Sequence, residues 1–177
     1  MQIQEALTAA SFLNLQYCIT PDGVQPLAAS EQILDGYAHI GNRYPTQHQP
    51  WDIVEPMAVW MAQQGMKDVF AFDVAVVEDS GVTRYLAIEC NPRFNGASYP
   101  TLIANKLKIE SWSCQTFTTS YRSIDRLNIR DIEFNPKSST GIVLVNWGTV
   151  LVGKVAILLA GSIEQQQELQ AILKQRL

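Results

Sequence analysis

Two apolar runs separated by a turn signal place the strongest constraint on the fold of this chain. Residues 69–77 are rich in aromatic and β-branched side chains, and residues 85–89 form a second apolar run. Asp79-Ser80-Gly81, between them, has the composition of a tight turn. The pattern therefore predicts an antiparallel hairpin in which Asp73 of the first strand lies beside Glu89 of the second.

The second strand ends in polar side chains at alternating positions. Glu89, Asn91 and Arg93 follow one another at a spacing of two, so an extended strand would point them to one side, with Pro92 stiffening its exit. Carboxylate and amide oxygens suit Mg²⁺, and a guanidinium suits phosphate. The pattern predicts a site for a metal ion and a nucleotide triphosphate.

A simpler interpretation of the two acids stays open from the residues alone. Asp73 and Glu89 are also consistent with ordinary strand-end acids that pair with Arg84 or Arg93. An acid inside an apolar strand is costly unless it is paired or bound to metal, which favours the metal site when both acids share one hairpin.

The motif Glu89-Cys90-Asn91-Pro92-Arg93, taken with Asp73, resembles the C-terminal half of the ATP-grasp fold of carboxylate–amine and carboxylate–thiol ligases. Peptide-ligase and carbamoyl-phosphate-synthetase-type members are similar. The resemblance implies that Asp73, Glu89 and Asn91 hold Mg²⁺ (or Mn²⁺) on the ATP phosphates. It also implies that Arg93 is catalytic, at the transferring phosphate. The loop that begins with Asn95 and Gly96 resembles the small-residue turn beside substrate and phosphate.

Weaker parts of the resemblance lie upstream. The segment that contains Glu5 and Leu7 resembles the hinge strand that holds adenine, and His39 lies where a His-x-Gly element approaches the nucleotide. The resemblance starts at this hinge and extends to about Leu107, so we expect the lysine-bearing N-terminal lobe to be absent. Three lysines, Lys67, Lys106 and Lys108, lie in the wrong part of the pattern to replace it.

The predicted fold class is α+β, with a mainly antiparallel sheet, flanking helices and a small β-β-α unit at the C-terminus. We expect an ATP-grasp C-terminal lobe over residues 1–134 and the β-β-α appendage, packed on the same domain, over residues 135–177. The predicted strands are 3–7, 12–20, 24–33, 69–77, 85–89, 111–119, 141–147 and 151–159. The predicted helices are 51–65, 99–107 and one that follows a capping box of Ser162 with Gln165. A polar loop is expected over residues 41–50.

Composition excludes several other classes of protein. The 177 residues carry a net charge of −4 and no block of Lys or Arg, which argues against binding to nucleic acid or to a membrane surface. No signal peptide or apolar run of membrane-spanning length is evident. The three cysteines form no CxxC pair, so neither a zinc site nor a disulfide framework is expected, and a reducing cytoplasm is the simplest location.

Three functional hypotheses follow. The first is the Mg-ATP-binding lobe of an ATP-dependent carboxylate–amine (or thiol) ligase that acts through an acyl phosphate, with a small carboxylate and an amine acceptor as substrates. We expect the isolated chain to be inactive. The second is a non-catalytic remnant of such a ligase that serves in assembly, since an exposed apolar face would favour a homodimer. The third is an unrelated metal-dependent hydrolase that uses Asp73 and Glu89.

Overall fold

The computed structural model describes residues 8–177. The predicted strand 3–7, with Glu5 and Leu7, lies outside the described residues. The chain has antiparallel sheet flanked by helices, which confirms the predicted α+β class. Its elements, in chain order, are β1 (Ser11–Thr20), β2 (Gly23–Asp35), β3 (Ala38–Tyr44), α1 (Trp51–Gln63), β4 (Val69–Asp79), β5 (Val82–Asn91), α2 (Ser98–Leu107), β6 (Trp112–Thr118), β7 (Gly141–Asn146), β8 (Lys154–Ala160) and α3 (Ile163–Arg176).

The described residues divide into two compact units. The first comprises residues 8–32 and 46–95, and the second comprises Ile33–Pro45 and Gly96–Leu177. The first unit contains α1 and four antiparallel strands in the order β5-β4-β1-β2, the last of which ends in the second unit. The hairpin of β4 and β5 is the one that the two apolar runs predict.

The core of the first unit lies on one face of its sheet, against α1. Leu13 and Leu15 of β1 are fully buried there, together with Phe70 of β4. The Tyr17 ring stacks on Phe70 at a centroid distance of 5.7 Å, which adds a favourable offset contact to the apolar burial. Because alternate residues of a strand point to opposite faces, this packing leaves the even-numbered positions of β1 on the other face.

The apolar side chains of α1 extend beyond the side of the helix that packs on the sheet. Val54 and Ala58 are buried in the core, whereas Ile53, Met57 and Trp60 are exposed, Trp60 to 60%. Both sets have helical spacing, but they lie one residue, or about 100°, apart around the helix. Periodicity alone does not distinguish the stripe that meets the sheet from an apolar stripe beside it.

The second unit contains four antiparallel strands in the order β3-β6-β8-β7. One cluster of buried side chains, among them Phe117, Ile157 and Leu173, packs between these strands and α3. A further cluster, with Trp112 and Cys114 of β6, includes Ala104 of α2. The capping box at the start of α3 is present as predicted, since Gln165 N donates to Ser162 Oγ and Ser162 N donates to Gln165 Oε1.

The polar loop predicted over residues 41–50 is wrong at its start. Gly41 to Tyr44 belong to β3 and pair with β6, where Asn42 is almost fully buried. A Cβ at Gly41 would lie 2.0 Å from the carbonyl oxygen of Cys114, so only glycine fits this close approach. Polar residues and a glycine hide this strand from a periodicity argument.

The start of β8 also differs from the prediction of a strand from residue 151. Residues Gly148–Val152 form a 3₁₀ turn, and Gly153 then takes a left-handed φ of 75° before the strand begins at Lys154. A Cβ at Gly153 would lie 2.9 Å from the carbonyl oxygen of Thr119. None of the helices in the described part of the chain has the length and apolar character needed to cross a membrane.

Stability at alkaline pH should depend on the thiol of Cys114. Burial raises the pKa of this thiol to about 12 from an ordinary value of 9.0. As the pH rises, the thiol of the unfolded chain therefore ionises before that of the folded chain. The stability that the neutral, buried thiol contributes is fully present below pH 9 and is lost as the pH rises from 9 to 12, by up to about 1.4 kcal/mol per pH unit. Urea unfolding of the wild type and of Cys114→Ala at pH 8 and pH 10.5 should give a smaller loss for the variant. Equal losses would contradict the burial of the thiol.

Candidate functional site

A row of polar side chains crosses the first unit on the face opposite its core. The strand registers place Ser30, Asn14, Asp73 and Glu89 directly opposite one another, one from each of the four strands. We call these four residues the polar row. Asn91 lies next to it, two residues beyond Glu89 on β5. The structure thus brings together the three predicted metal ligands, Asp73, Glu89 and Asn91.

The Asp73 carboxylate is held by two amides. Asn14 Nδ2 donates to Asp73 Oδ1 at 2.6 Å, and Asn91 Nδ2 donates to Asp73 Oδ2 at 3.3 Å. Both amides are buried, with 3% of Asn14 and 8% of Asn91 exposed, whereas Asp73 is half-buried. Hydrogen bonds to an ionised acceptor are stronger than neutral ones, so this arrangement favours a charged, well-oriented carboxylate.

The oxygen end of the Asn14 amide has no hydrogen bond among the described residues. Its Oδ1 is buried and has no partner within residues 8–177, although its Nδ2 is bonded to Asp73. An unsatisfied buried acceptor costs about 1–3 kcal/mol. Most buried polar groups in proteins are satisfied, so such an exception calls for an explanation in function or strain.

A β-bulge lies beside the two acids. Asp73 pairs with Glu89, but the next residue, Val74, pairs with Ala87, so Ile88 is an additional residue in β5. Bulges bend a strand, increase its twist and change the direction of neighbouring side chains, and they are frequent next to active sites. Glu89 itself is exposed, so its carboxylate is accessible from solvent.

The strand geometry does not extend to Arg93. Strand β5 ends at Asn91, because Pro92 has no N–H for the ladder, and Arg93 lies in the bend that follows. Its Nη1 donates to the carbonyl oxygen of Phe94 at 3.0 Å, and the residue is exposed. Strand alternation therefore does not place Arg93 with Glu89 and Asn91, and its place in the site stays a prediction.

The donor set of this face suits a hard cation. Mg²⁺ in nucleotide sites uses one or two carboxylates and substrate phosphates, and Asp73 with Glu89 supplies two carboxylates at directly opposed positions. The Asn91 amide adds an oxygen. Within residues 8–177, no cluster of three or more His, Cys, Asp or Glu has a metal-binding arrangement, so a cation here would depend on the amides and on ligand oxygens.

The second unit contains a pocket of its own. A cavity of about 450 Å³ is lined by residues that include His39, Gly96, Tyr99, Cys114, Thr116 and Asn146. His39 Nε2 lies 2.8 Å from Asn42 Oδ1, so the ring donates there and its Nδ1 remains an acceptor when the ring is neutral. A Cβ at Gly96 would lie 3.4 Å from His39 Cε1, which places the two predicted nucleotide contacts side by side.

The pocket has features of a binding site rather than of a nucleophilic one. Its cysteine, Cys114, is buried, and burial raises the pKa of that thiol to about 12, so it stays protonated at neutral pH. The predicted contact Asn95 is half-buried and is the last residue of the first unit, whereas Gly96 is the first residue of the second segment of the second unit.

No family model matches the chain, and no curated protein sequence matches it. Solved structures do. N5-carboxyaminoimidazole ribonucleotide synthetase from Thermus thermophilus matches with a TM-score of 0.64 and 13% identity over 97% of this chain and 52% of that chain. An ATP-grasp superfamily protein from Archaeoglobus fulgidus matches with a TM-score of 0.55 and 12% identity over 90% of this chain and 48% of that chain. N5-carboxyaminoimidazole synthase from Aspergillus clavatus, in complex with ADP and 5-aminoimidazole ribonucleotide, matches with a TM-score of 0.58 and 11% identity over 96% of this chain and 53% of that chain.

This chain has an ATP-grasp fold. At identities of 11–13% the likeness is one of fold, and the chain spans about half the length of the ATP-grasp structures that it matches. The fold confirms the resemblance stated from the motif around Glu89, whereas the roles of individual site residues stay predictions.

Sequence reasoning missed Asn14 as a member of this candidate site. The alternation of Leu13, Asn14, Leu15 and Gln16 signals a strand with one polar face. It does not say which residue of β4 will lie opposite Asn14, because that pairing joins positions 59 residues apart. The site residues of β4 and β5 could be predicted from the sequence motif, because the two strands form one hairpin.

Chemical labelling should test the register that forms the polar row. Cys90 lies on the side of β5 opposite to Glu89 and Asn91, where its Sγ is 3.5 Å from Met61 Sδ of α1. The residue is exposed. A thiol reagent should modify Cys90 in the folded protein well before the buried Cys114, and Cys90→Ser should remove that phase. Partial burial of the thiol and the Glu89 carboxylate both raise the Cys90 pKa, so the rate should rise with pH.

Equal protection of Cys90 and Cys114 would contradict this register. A shift of one residue would move every side chain of β5 to the other face.

Proposed function

We propose that this chain is the Mg-ATP-binding lobe of an ATP-dependent carboxylate–amine (or thiol) ligase. The observation that carries the proposal is the polar row with Asn91, which lies on the face of an antiparallel sheet opposite to its core, in an ATP-grasp fold. The row supplies opposed carboxylates without His or Cys, which is the chemistry of a magnesium–phosphate site rather than of a zinc or thiol site.

In this proposal each residue of the site has a separate task. Asp73, Glu89 and Asn91 hold Mg²⁺ (or Mn²⁺), which neutralises charge on the phosphates when bound. Asn14 and Asn91 keep the Asp73 carboxylate oriented through their hydrogen bonds. Arg93 is exposed in the bend after β5, where its guanidinium is available to the transferring phosphoryl group after releasing the Phe94 carbonyl.

The proposed reaction has two steps. A substrate carboxylate oxygen attacks the γ-phosphorus of ATP, the bond from that phosphorus to the β–γ bridging oxygen breaks, and ADP leaves with an acyl phosphate formed. An amine then attacks the acyl carbon, inorganic phosphate leaves and the amine loses its proton. The protein contributes mainly positioning and electrostatic stabilisation to such transfers.

Ligand contacts in the second unit belong to the same proposal. His39 and Gly96 line the 450 Å³ cavity, whose size suits a small molecule. The Aspergillus clavatus synthase was captured with ADP and 5-aminoimidazole ribonucleotide, which supports a nucleotide and a small substrate as partners of this chain. The free cysteines fit the reducing cytoplasm that we propose as its location.

Binding of Mg-ATP should require Glu89. We expect ATP to raise the Tm of the wild type only when Mg²⁺ is present, by several degrees when ATP is 100-fold above its Kd, where binding adds about 2.7 kcal/mol to the free energy of unfolding. The Glu89→Gln variant should lose this shift, because it removes one of the two opposed carboxylates. Glu78→Gln is the matched control, since Glu78 is an exposed acid at the other end of the same hairpin.

The proposed site is wrong if Glu89→Gln binds Mg-ATP as tightly as the wild type. A shift that disappears in Glu78→Gln as well would instead mean that any charge change in this hairpin disturbs binding.

The exposed apolar residues of α1 favour a second candidate, an assembly module. Ile53, Met57 and Trp60 follow helical spacing on the exposed side of the helix. Light scattering of the wild type at rising concentration should reveal a dimer in this case, and Trp60→Glu should return it to the monomer mass. A wild type that stays monomeric throughout would contradict the assembly role. Lys67→Glu, a charge change just beyond the helix, is the control.

A further inference from the structure

We propose that Asn14 is a positioning residue of the cation site, retained to orient Asp73 and not to stabilise the fold. The inference rests on the proposed function, since it assigns a role within the same site. It is carried by the 2.6 Å hydrogen bond from Asn14 to Asp73 and by the buried Oδ1 of Asn14, which has no partner in the part of the chain that the structure describes.

The two observations have one cause. An ionised carboxylate only accepts hydrogen bonds, so the Asn14 amide must direct its NH₂ group at Asp73. Turning the amide over would place Oδ1 against the carboxylate oxygen and would lose the bond. Asp73 therefore fixes the orientation that leaves Oδ1 unsatisfied, with 3% of the Asn14 side chain exposed.

A structural role alone does not account for an amide at this position. The neighbouring residues of the strand, Leu13 and Leu15, are fully buried, and an apolar residue at position 14 would leave no unsatisfied oxygen. Replacing both members of a buried polar pair by apolar groups of similar shape is nearly neutral or stabilising. The hydrogen-bonded pair of Asn14 and Asp73 is thus explained by the proposed role of the Asp73 carboxylate as a metal ligand.

Orientation of a ligand carboxylate has a measurable consequence. Hydrogen-bond partners of metal ligands set the direction of the ligand, and their removal lowers metal affinity by about 10–100-fold. Asp73 receives one such bond on each oxygen, from Asn14 and from Asn91. Loss of the Asn14 donor removes a hydrogen bond from Oδ1 of the carboxylate while every proposed ligand stays in place.

The experiment measures Mn²⁺ binding, from the loss of the free-ion EPR signal, and urea unfolding in the same set of variants. In Asn14→Leu the new side chain has nearly the shape of the amide but no hydrogen-bond donor. This substitution is made both in the wild type and in the Asp73→Leu variant. Glu89→Gln is the variant that reports loss of the site. Gln166→Leu is the structural control, because Gln166 is also a buried amide, with bonds to Ser111 Oγ and the Gly161 carbonyl oxygen in the second unit.

We expect Asn14→Leu to weaken Mn²⁺ binding about tenfold in the wild type and to have no further effect in Asp73→Leu. In urea, the effect of Asn14→Leu on the unfolding midpoint should be more stabilising in the Asp73→Leu background than in the wild type. In that background the Asn14 amide has already lost its partner. Gln166→Leu should lower the unfolding midpoint and leave Mn²⁺ affinity unchanged.

Three results would overturn the inference, and they separate it from the proposed function. If the wild type binds Mn²⁺ and Glu89→Gln does not, but Asn14→Leu binds as tightly as the wild type, Asn14 has no positioning role and the cation site stands. If Asn14→Leu has the same effect on unfolding in both backgrounds, the pair is not coupled. If the wild type binds no Mn²⁺, the proposed cation site fails and the role of Asn14 fails with it.

Discussion

The Asp73 carboxylate, half-buried among side-chain amides, is the interaction on which the candidate site depends. It lies at the middle of a four-stranded sheet and receives one hydrogen bond on each oxygen. Burying a charge is costly unless hydrogen bonds or counter-charges replace the lost water. The two amides supply part of that replacement, so the neighbouring strands must remain in a register that holds them.

That register follows from the division of the sheet into two faces. Leu13 and Leu15 of β1 meet α1, which fixes Asn14 on the opposite face, and the same alternation along β4 places Phe72 in the core and Asp73 outside it. The packing of the apolar face therefore positions the polar one. On β5, the bulge at Ile88 shifts the pairing with β4 by one residue directly before Glu89.

The hairpin of β4 and β5 could be predicted because its signals are local: two apolar runs, one turn, and acids that face each other across it. The role of Asn14 could not, since the pairing of β1 with β4 joins residues far apart in sequence. Strand β3 was missed because Asn42, a buried polar residue, looks like a loop residue in a sequence. Alternation could not place Arg93, because the strand ends at Asn91, before the proline.

The chemistry available in the two units also constrains the function. The thiols of Cys90 and Cys114 both have raised pKa values, one beside Glu89 and the other in the pocket of the second unit, so neither is an activated nucleophile at neutral pH. The polar row with Asn91 supplies carboxylates and amides, and the pocket of the second unit supplies the His39 imidazole, all groups that bind and orient ligands. Phosphoryl transfer to a substrate carboxylate requires such positioning and charge from the protein, since the nucleophile belongs to the substrate. The protonated thiols are therefore compatible with the proposed ligase, whereas a mechanism with a covalent thiol intermediate would require a lowered pKa.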